Sequence, residues 1–258
     1  MHSPLRLAWV TLFGRDGSPR ALGAADRPIL LLPGFACPPR ALLPLDRSLR
    51  HRLGRPTLRI DLGVGFRDIR DGGVLAHEAV EAAVRASGFQ ELDVVAHSMG
   101  GLVAAYLLKC VDQGRRIRRV VALGTPFQGV PLARLPGPGW LLPSVRQMRP
   151  GAPFLRHLAN LPLPEGCELV SVAGGRDGVV PPRAARLPEL PGHVSRVVAT
   201  ADHCGLVVSP EARAVVRRVL ARGARSVEPV PSPHHGDPRA RTASAEESGG
   251  FGRDRSAA

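Results

Sequence analysis

The sequence predicts an α/β domain with a mostly parallel β-sheet and helices on both faces. Two observations lead to this prediction. Apolar runs typical of buried strands alternate with segments of helical periodicity over roughly 190 residues. Residues with reactive side chains follow the carboxyl ends of several runs, where ligands bind in open α/β sheets. A chain of 258 residues is long enough to bury the core of such a domain.

Short apolar runs that end in glycine, proline or polar turn residues predict the strands. The first strong run ends at Pro33-Gly34 and is typical of a strand buried on both faces. Residues 5–13 have only weak strand potential. The predicted strands are residues 29–32, 57–62, 92–96, 117–123, 169–173 and 194–199.

Apolar side chains at helical spacing predict the helices between these strands. The first of them is opened by Pro38 and Pro39, and the second is stopped by Gly88. The predicted helices are residues 40–52, 74–87, 99–110, 153–161 and 210–222.

Composition divides the chain into a folded domain, residues 1–222, and a tail, residues 223–258. The tail is rich in Pro, Ser, Gly and charge, and we expect it to be disordered. Residues 129–165, between two predicted strands, are rich in proline and leucine and form an insertion in the domain.

The formal net charge of +13 suggests an acidic partner. Lys109 is the single lysine, however, and the arginines are scattered. The one dense cluster, Arg115, Arg116, Arg118 and Arg119, is expected to be a solvated helix-to-strand connection. Nucleic acid is therefore not an expected partner, and weak attraction to an anionic membrane surface is the functional alternative.

The four cysteines form no CxxC pair, and we expect reduced or buried thiols; they are Cys37, Cys110, Cys167 and Cys204. No apolar run reaches the roughly 20 residues that span a bilayer. Residues 7–13 form a poor signal peptide, because Gly14-Arg15-Asp16 follows them. We expect a cytoplasmic protein, and secretion stays open.

A serine follows the strand at 92–96 on a tight turn. Ala96-His97-Ser98-Met99-Gly100 fills the nucleophile-elbow pattern with alanine in its first position. That position needs a small side chain because the strained turn packs against neighbouring elements. The helix after Ser98 directs its amides at the turn, where they favour developing negative charge. Ser98 is the predicted nucleophile.

Serine needs a histidine base that is oriented by a carboxylate, each after a later strand. Asp177 follows the strand at 169–173 in a glycine-rich turn and is the predicted orienting residue. Asp112 ends the helix after Ser98, and Asp202 adjoins the predicted base, so both are poorly placed.

The predicted base is His203, which lies between the last strand and the last helix. His193 precedes that strand, at the opposite end of the sheet. His97 is expected to be structural, because adjacent residues of the elbow diverge. His234 and His235 lie in the tail.

An oxyanion hole needs two backbone amides aimed at one point. We expect one from Met99, directly after the nucleophile. The other is expected from Phe35, in the loop after the strand at 29–32. The Phe35 side chain is also a candidate wall of an acyl pocket.

With these residues in place, the chain resembles the α/β-hydrolase superfamily, in particular its small lipase and esterase branch. The matching segments span residues 29–210: LLLPGF, VVAHSMGG, ALGTPFQG, GGRDGVVPP and DHCGLVVSP. AHSMGG is shared with thioesterases and acyltransferases, whereas GTPFQG and DGVVP favour lipases. Pro33 and Phe127 stand where these enzymes usually have histidine, which affects substrate preference more than the reaction.

The resemblance implies the α/β-hydrolase fold, with the insertion at about 129–165 as a small cap. Phe127 and three side chains of the insertion, Trp140, Met148 and Phe154, are candidates to line a hydrophobic substrate site or a lid. The alternative is that the segment covers the core.

The predicted function is hydrolysis of carboxyl esters of apolar acyl groups by Ser98, Asp177 and His203 through an acyl-enzyme. A thioesterase or acyltransferase with the same residues, and a non-catalytic binding module, are the alternatives. The partner is a small-molecule or lipid ester. We expect no metal and no cofactor, and the oligomeric state stays open.

Overall fold

A six-stranded parallel sheet forms the centre of the computed structural model, which describes residues 27–62, 68–87, 89–134 and 141–221. The strand order is β2-β1-β3-β4-β5-β6, and each pairing among these strands is parallel. The strands are β1 Ile29–Leu32, β2 Thr57–Arg59, β3 Leu92–His97, β4 Ile117–Leu123, β5 Glu168–Gly174 and β6 His193–Val198. The predicted fold class is confirmed, although β2 is three residues shorter than expected.

The helices agree with the predicted ones, with differences at their ends. They are α1 Leu43–Leu53, α2 Ile69–Ser87, α3 Met99–Tyr106, α4 Pro143–Gln147, α5 Pro153–Asn160, α6 Gly205–Val208 and α7 Pro210–Ala221. A 3₁₀ turn, Pro39–Leu42, precedes α1, and a π-helical segment, Leu107–Asp112, continues α3. The short α4 and α6 were not predicted.

Helix α2 begins at Ile69, five residues before its predicted start, and its first turns contain a pair of glycines, Gly72 and Gly73. The Asp68 carboxylate accepts a hydrogen bond from the Arg70 amide at 2.8 Å, which caps the first turn. A Cβ at Gly73 would lie 2.6 Å from the Tyr106 ring, so this turn packs closely on α3. The glycines therefore permit close contact between the two helices.

Strands β1, β3, β4 and β5 bury side chains on both faces of the central sheet, whereas only Val198 is buried in the edge strand β6. Leu30 and Leu32 join one apolar cluster with α2, α3 and α5, while Ile29 and Leu31 join another with α1, α6 and α7. This two-sided burial explains the continuous apolar runs of the sequence. Because the strands are parallel, the loops that follow their carboxyl ends meet at one edge of the sheet.

The insertion is tied to the α2 and α3 face of the sheet. The Gln147 side chain accepts from the Ile69 amide at 2.8 Å and donates to Asp68 at 2.6 Å. The Lys109 ammonium donates to the carbonyls of Leu158 and Leu161, at 3.0 and 2.8 Å. The described part of the insertion therefore covers core.

The prediction of a solvated connection is wrong for part of the arginine cluster. Arg115 and Arg116 do lie in the turn before β4, where Arg115 is exposed. Arg118 and Arg119 lie within β4. The cluster faces carboxylates of neighbouring elements: Arg116 pairs with Glu81 at 3.1 Å, Arg118 with Glu91 at 2.7 Å and Arg119 with Glu168 at 2.6 Å. Much of its charge is thus neutralised within the fold.

All four cysteines lie among the described residues, and none is bonded to another. Cys167 is buried and its thiol donates to the Ile117 carbonyl at 3.3 Å, whereas Cys204 is exposed. No described helix has the length and apolar character to cross a membrane. The expected tail and the weak strand at residues 5–13 lie outside the described residues.

Candidate active site

Ser98 lies between β3 and α3 in a conformation that side chains rarely adopt, with φ 54° and ψ −127°. Two contacts with the end of β4 hold it there. The Ser98 amide donates to the Leu123 carbonyl at 2.7 Å, and the Thr125 hydroxyl donates to the Ser98 carbonyl at 3.0 Å. The surrounding sheet thus stabilises a strained turn that exposes the serine side chain.

Close packing explains the small residues that flank Ser98. A Cβ at Gly100 would collide with the Pro33 carbonyl, and one at Gly101 would collide with the Thr125 hydroxyl. Ala96 is 1% exposed, at the end of β3 that enters the turn. Alanine in the first position of the pattern therefore meets the steric requirement of this elbow.

Three side chains from separate loops form a hydrogen-bonded series at the carboxyl edge of the sheet. His203 Nδ1 lies 2.8 Å from Asp177 Oδ2, and His203 Nε2 lies 3.1 Å from Ser98 Oγ. A carboxylate only accepts hydrogen bonds, so Nδ1 carries the proton in the neutral ring. Nε2 is then free to accept the proton of the Ser98 hydroxyl.

The Asp177 carboxylate is fixed by more than the imidazole. Its Oδ1 accepts from the amides of Val179 and Val180, at 2.9 and 2.7 Å, and its side chain is fully buried. Two amide donors and an N–H donor stabilise the ionised form of a carboxylate that is removed from water. Asp177 can therefore stabilise a positive charge on the His203 ring.

Asp112, Asp202 and His193 take no part in this series, and His234 and His235 lie outside the described residues. Asp112 accepts from the amides of Arg116 and Ile117 at the opposite edge of the sheet. Asp202 is exposed and accepts from the Gly205 amide at 2.6 Å. His193, at the start of β6, contacts Lys109 at 3.1 Å.

The loop after β1 passes directly beside the nucleophile. A Cβ at Gly34 would lie 3.0 Å from Ser98 Cβ. Phe35 follows in a turn where Ala36 has a φ of 52°, and Met99 opens α3. Gly34 thus lies beside Ser98, with Phe35 next to it in the chain, and Met99 follows Ser98 directly. The oxyanion hole formed by their amides stays a prediction.

The candidate substrate residues are mostly core residues. Met148 and Phe154 are 7% and 3% exposed, and the Phe154 ring lies 6.1 Å from that of Tyr106. Phe127 is also buried and lines a small cavity beside Lys109. Since these side chains pack in the core, the structure favours the alternative that the segment covers core. Trp140 lies outside the described residues.

A cavity beside Met99 has a lining that, apart from Met99 itself, sequence reasoning did not assign to the site. Half of the lining comes from the first turns of α2; the full set is Leu62, Asp68, Ile69, Asp71, Gly72, Leu75, Met99 and Val103. The sequence held no signal for this cavity, because the packing of α2 on α3 brings these residues together.

Gly124, in the loop after β4, was also missed, although it lies in a quoted motif. It has a φ of 55°, and a Cβ there would lie 3.2 Å from both Asp177 Oδ2 and His203 Nδ1. The positive φ favours glycine, and so does the close contact. Gly124 therefore leaves room for the Asp177–His203 hydrogen bond.

Gly124→Ala should reduce turnover by about 10²-fold, because the new methyl group displaces Asp177 and His203 from alignment. Gly54→Ala is a matched control, since Gly54 also has a positive φ, 69°, but no atom near its Cβ position. Both variants should lose stability from backbone strain, which urea unfolding measures. Equal activities for the two variants would contradict the role given to Gly124.

His97 contacts His203 directly, which the sequence did not indicate. Its Nε2 lies 3.0 Å from the His203 carbonyl oxygen, and the two ring centroids are 4.7 Å apart. Burial, together with the neighbouring His203, lowers the pKa of His97 to about 4. His97 is therefore neutral near pH 7, and its Nε2 donates to the carbonyl.

Stability should fall as the pH drops from about 6.5 towards 4, in part because of His97. The unfolded chain takes up the proton near pH 6.5, whereas the folded protein resists it until about pH 4. That difference corresponds to about 3 kcal/mol of stability present above pH 6.5 and lost through this range. Urea unfolding between about pH 7 and 4 should show a smaller loss for His97→Gln than for wild type. Parallel pH curves for the two proteins would contradict the assignment.

Among the described residues, no group of His, Cys, Asp and Glu is arranged to hold a metal ion. The arrangement of Ser98, His203 and Asp177 suits nucleophilic attack on a carbonyl carbon, with proton transfer through the imidazole.

The sequence is similar to that of a known protein family. The sequence matches the family model described as the Alpha/beta hydrolase family over residues 29–245. The chain belongs to this family. The resemblance drawn from the sequence motifs is thereby confirmed at the level of the superfamily. No curated protein matches this α/β-hydrolase significantly.

Solved structures share the fold of this α/β-hydrolase at low identity. The mature lipase BlEst2 of Bacillus licheniformis is 17% identical, with 83% of this chain and 97% of that chain covered and a TM-score of 0.65. The metagenomic carboxyl esterase MGS0156 is also 17% identical, with 80% and 78% covered and a TM-score of 0.62.

A protein described as the non-heme bromoperoxidase BpoC of Mycobacterium tuberculosis H37Rv is 14% identical, with 86% and 99% covered and a TM-score of 0.59. At these identities the likeness establishes a shared fold only. The reaction of this α/β-hydrolase has to be argued from its own site.

Proposed function

We propose that this α/β-hydrolase is a serine hydrolase that cleaves carboxyl esters of apolar acyl groups. The observation that carries the proposal is the hydrogen-bonded series from Asp177 through His203 to Ser98. Each member comes from a different loop at one edge of the sheet, and the proton positions on His203 are those that a general base requires.

In the proposed mechanism Ser98 Oγ attacks the acyl carbonyl carbon while His203 Nε2 accepts its proton. The amides of Phe35 and Met99 stabilise the negative charge on the carbonyl oxygen. His203 then donates its proton to the departing alcohol, which leaves an ester between the acyl group and Ser98. Water attacks this acyl-enzyme with His203 again as the base, releases the acid and restores Ser98.

The apolar acyl preference is supported by the walls near the nucleophile. The cavity beside Met99 includes the side chains of Leu75 and Val103, on the facing helices α2 and α3. Phe35 packs against the apolar cluster that one face of the sheet forms with α2, α3 and α5. Two solved structures of the same fold are named as a lipase and a carboxyl esterase, which agrees with this substrate class.

Attraction to an anionic membrane surface remains a weaker part of the proposal. The net charge of +13 supports it. The ion pairs of Arg116, Arg118 and Arg119 weaken it, because they neutralise the densest basic cluster. Sedimentation with vesicles of anionic and of neutral lipid, at low and high salt, distinguishes the two cases.

Labelling with a fluorophosphonate probe tests the proposed reaction. We expect modification of Ser98, located by peptide mass spectrometry, and hydrolysis of p-nitrophenyl esters from acetate to palmitate with a maximum above acetate. Added alcohols or thiols should not divert the acyl group from water, which separates hydrolysis from acyl transfer. Absence of both labelling and ester hydrolysis in the folded protein would refute the proposal.

A further inference from the structure

The imidazole of His97 lies between the loop that carries His203 and the loop after β1. Its Nε2–H donates to the His203 carbonyl at 3.0 Å. On its other side, a Cβ at Gly34 would lie 3.4 Å from His97 Nδ1. The ring is 7% exposed. One buried side chain thus donates a hydrogen bond to the base loop and lies beside Gly34, in the loop that leads to Phe35.

We propose that His97 is a positioning residue, which holds the His203 loop against the loop after β1 so that base and oxyanion amide keep their places around Ser98. The proposal rests on the proposed function, since it assigns a supporting role within the same site. His97 contacts no reacting atom and acts through His203.

The two hydrogen bonds on His203 constrain different parts of that residue. The bond from Nδ1 to Asp177 fixes the side chain, at 2.8 Å. The bond that its carbonyl accepts from His97 fixes the backbone from which the side chain extends. Both constraints are needed for Nε2 to stay 3.1 Å from Ser98 Oγ, because a rotation of the backbone would displace the whole ring.

Neutrality of His97 is part of this role. During the proposed reaction His203 becomes a cation, and the centroid of the His97 ring lies 4.7 Å from that of His203. A second positive charge there would oppose that step, whereas Asp177 supports it. His203 and Asp177 are the titratable groups that face His97, and burial keeps the pKa of His97 at about 4.

Two substitutions separate a positioning role from a purely structural one. In His97→Gln the amide nitrogen can reach the position of Nε2 and still donate to the His203 carbonyl. In His97→Leu the donor is lost while an apolar side chain fills the space. We expect kcat to fall by about 10²-fold in His97→Leu with KM within about 3-fold, and His97→Gln to recover most of that loss.

Ile117→Ala controls for lost stability, since Ile117 is a buried residue at the opposite end of the sheet. It should unfold at lower urea than wild type and keep its turnover. If His97→Leu keeps wild-type kcat, or if Gln and Leu lose activity equally, the proposal is overturned.

Nitrogen-15 NMR of labelled histidine gives a readout that does not depend on ester hydrolysis. In wild type and His97→Gln, His203 should show one tautomer with the proton on Nδ1, and in His97→Leu a mixture or a broadened signal. This change would support the positioning role even if no ester were cleaved, in which case the proposed function alone fails. An unchanged His203 signal in His97→Leu would overturn the inference.

Discussion

Replacing Ser98 with alanine should reduce ester hydrolysis by about 10⁶-fold and abolish fluorophosphonate labelling, the largest effect expected for any single substitution. The hydroxyl is the proposed attacking group, and its contact with His203 Nε2 at 3.1 Å provides the base. No other group at this position can form the acyl-enzyme. Initial rates with p-nitrophenyl butyrate measure the loss.

The fold should survive this substitution, because alanine keeps the Cβ and the backbone conformation of Ser98. Ser195→Ala is the matched control, since Ser195 lies on the edge strand β6. It should keep wild-type activity. Residual hydrolysis in Ser98→Ala above about one hundredth of the wild-type rate would contradict the assignment of the nucleophile.

A glycine at the same position tests the strain in the elbow. Ser98 has a φ of 54° and a ψ of −127°, a region that glycine adopts with little cost. Ser98→Gly should therefore be as inactive as Ser98→Ala but more stable by about 1 kcal/mol in urea unfolding. Such a gain would mean that backbone strain at Ser98 destabilises the wild-type fold, and that the hydrogen bonds of Ser98 at the end of β4 offset this cost.

The strands and the edge of the sheet that carries the site were predictable because their signals are local. Ile29–Leu32 is a continuous apolar run that ends at Pro33-Gly34, and burial on both faces of a parallel sheet requires such a run. Asp177 and His203 each follow a strand, and parallel strands bring their carboxyl ends to one edge. The positions of Asp177 and His203 after strands were therefore enough to predict that they lie at the same edge of the sheet as Ser98.

Contacts between distant segments could not be predicted in this way. His97 and His203 are 106 positions apart, and their hydrogen bond depends on how two loops pack rather than on either local sequence. Phe154 has the same apolar character whether it lines a pocket or fills the core, so only its burial against Tyr106 decides between them. Arg119 likewise gives no local sign that Glu168 lies beside it.

Asp177→Asn should reduce kcat by about 10⁴-fold while leaving the fold intact, because it reverses the tautomer of His203. Asparagine keeps an oxygen that can accept from the amides of Val179 and Val180, which contact Oδ1 in wild type. Its amide NH₂ group then faces His203 Nδ1 in place of Oδ2. Nδ1 must accept rather than donate, so the ring proton moves to Nε2.

With its proton on Nε2, His203 cannot accept the proton of Ser98, although the heavy atoms stay in place. Asp202→Asn is the matched control, since Asp202 adjoins His203 but is exposed, and its carboxylate accepts from the Gly205 amide. It should change kcat by less than about 10-fold. Nitrogen-15 NMR should show the Nε2–H tautomer of His203 in Asp177→Asn alone. Comparable losses in the two variants would mean that Asp177 does not orient the base.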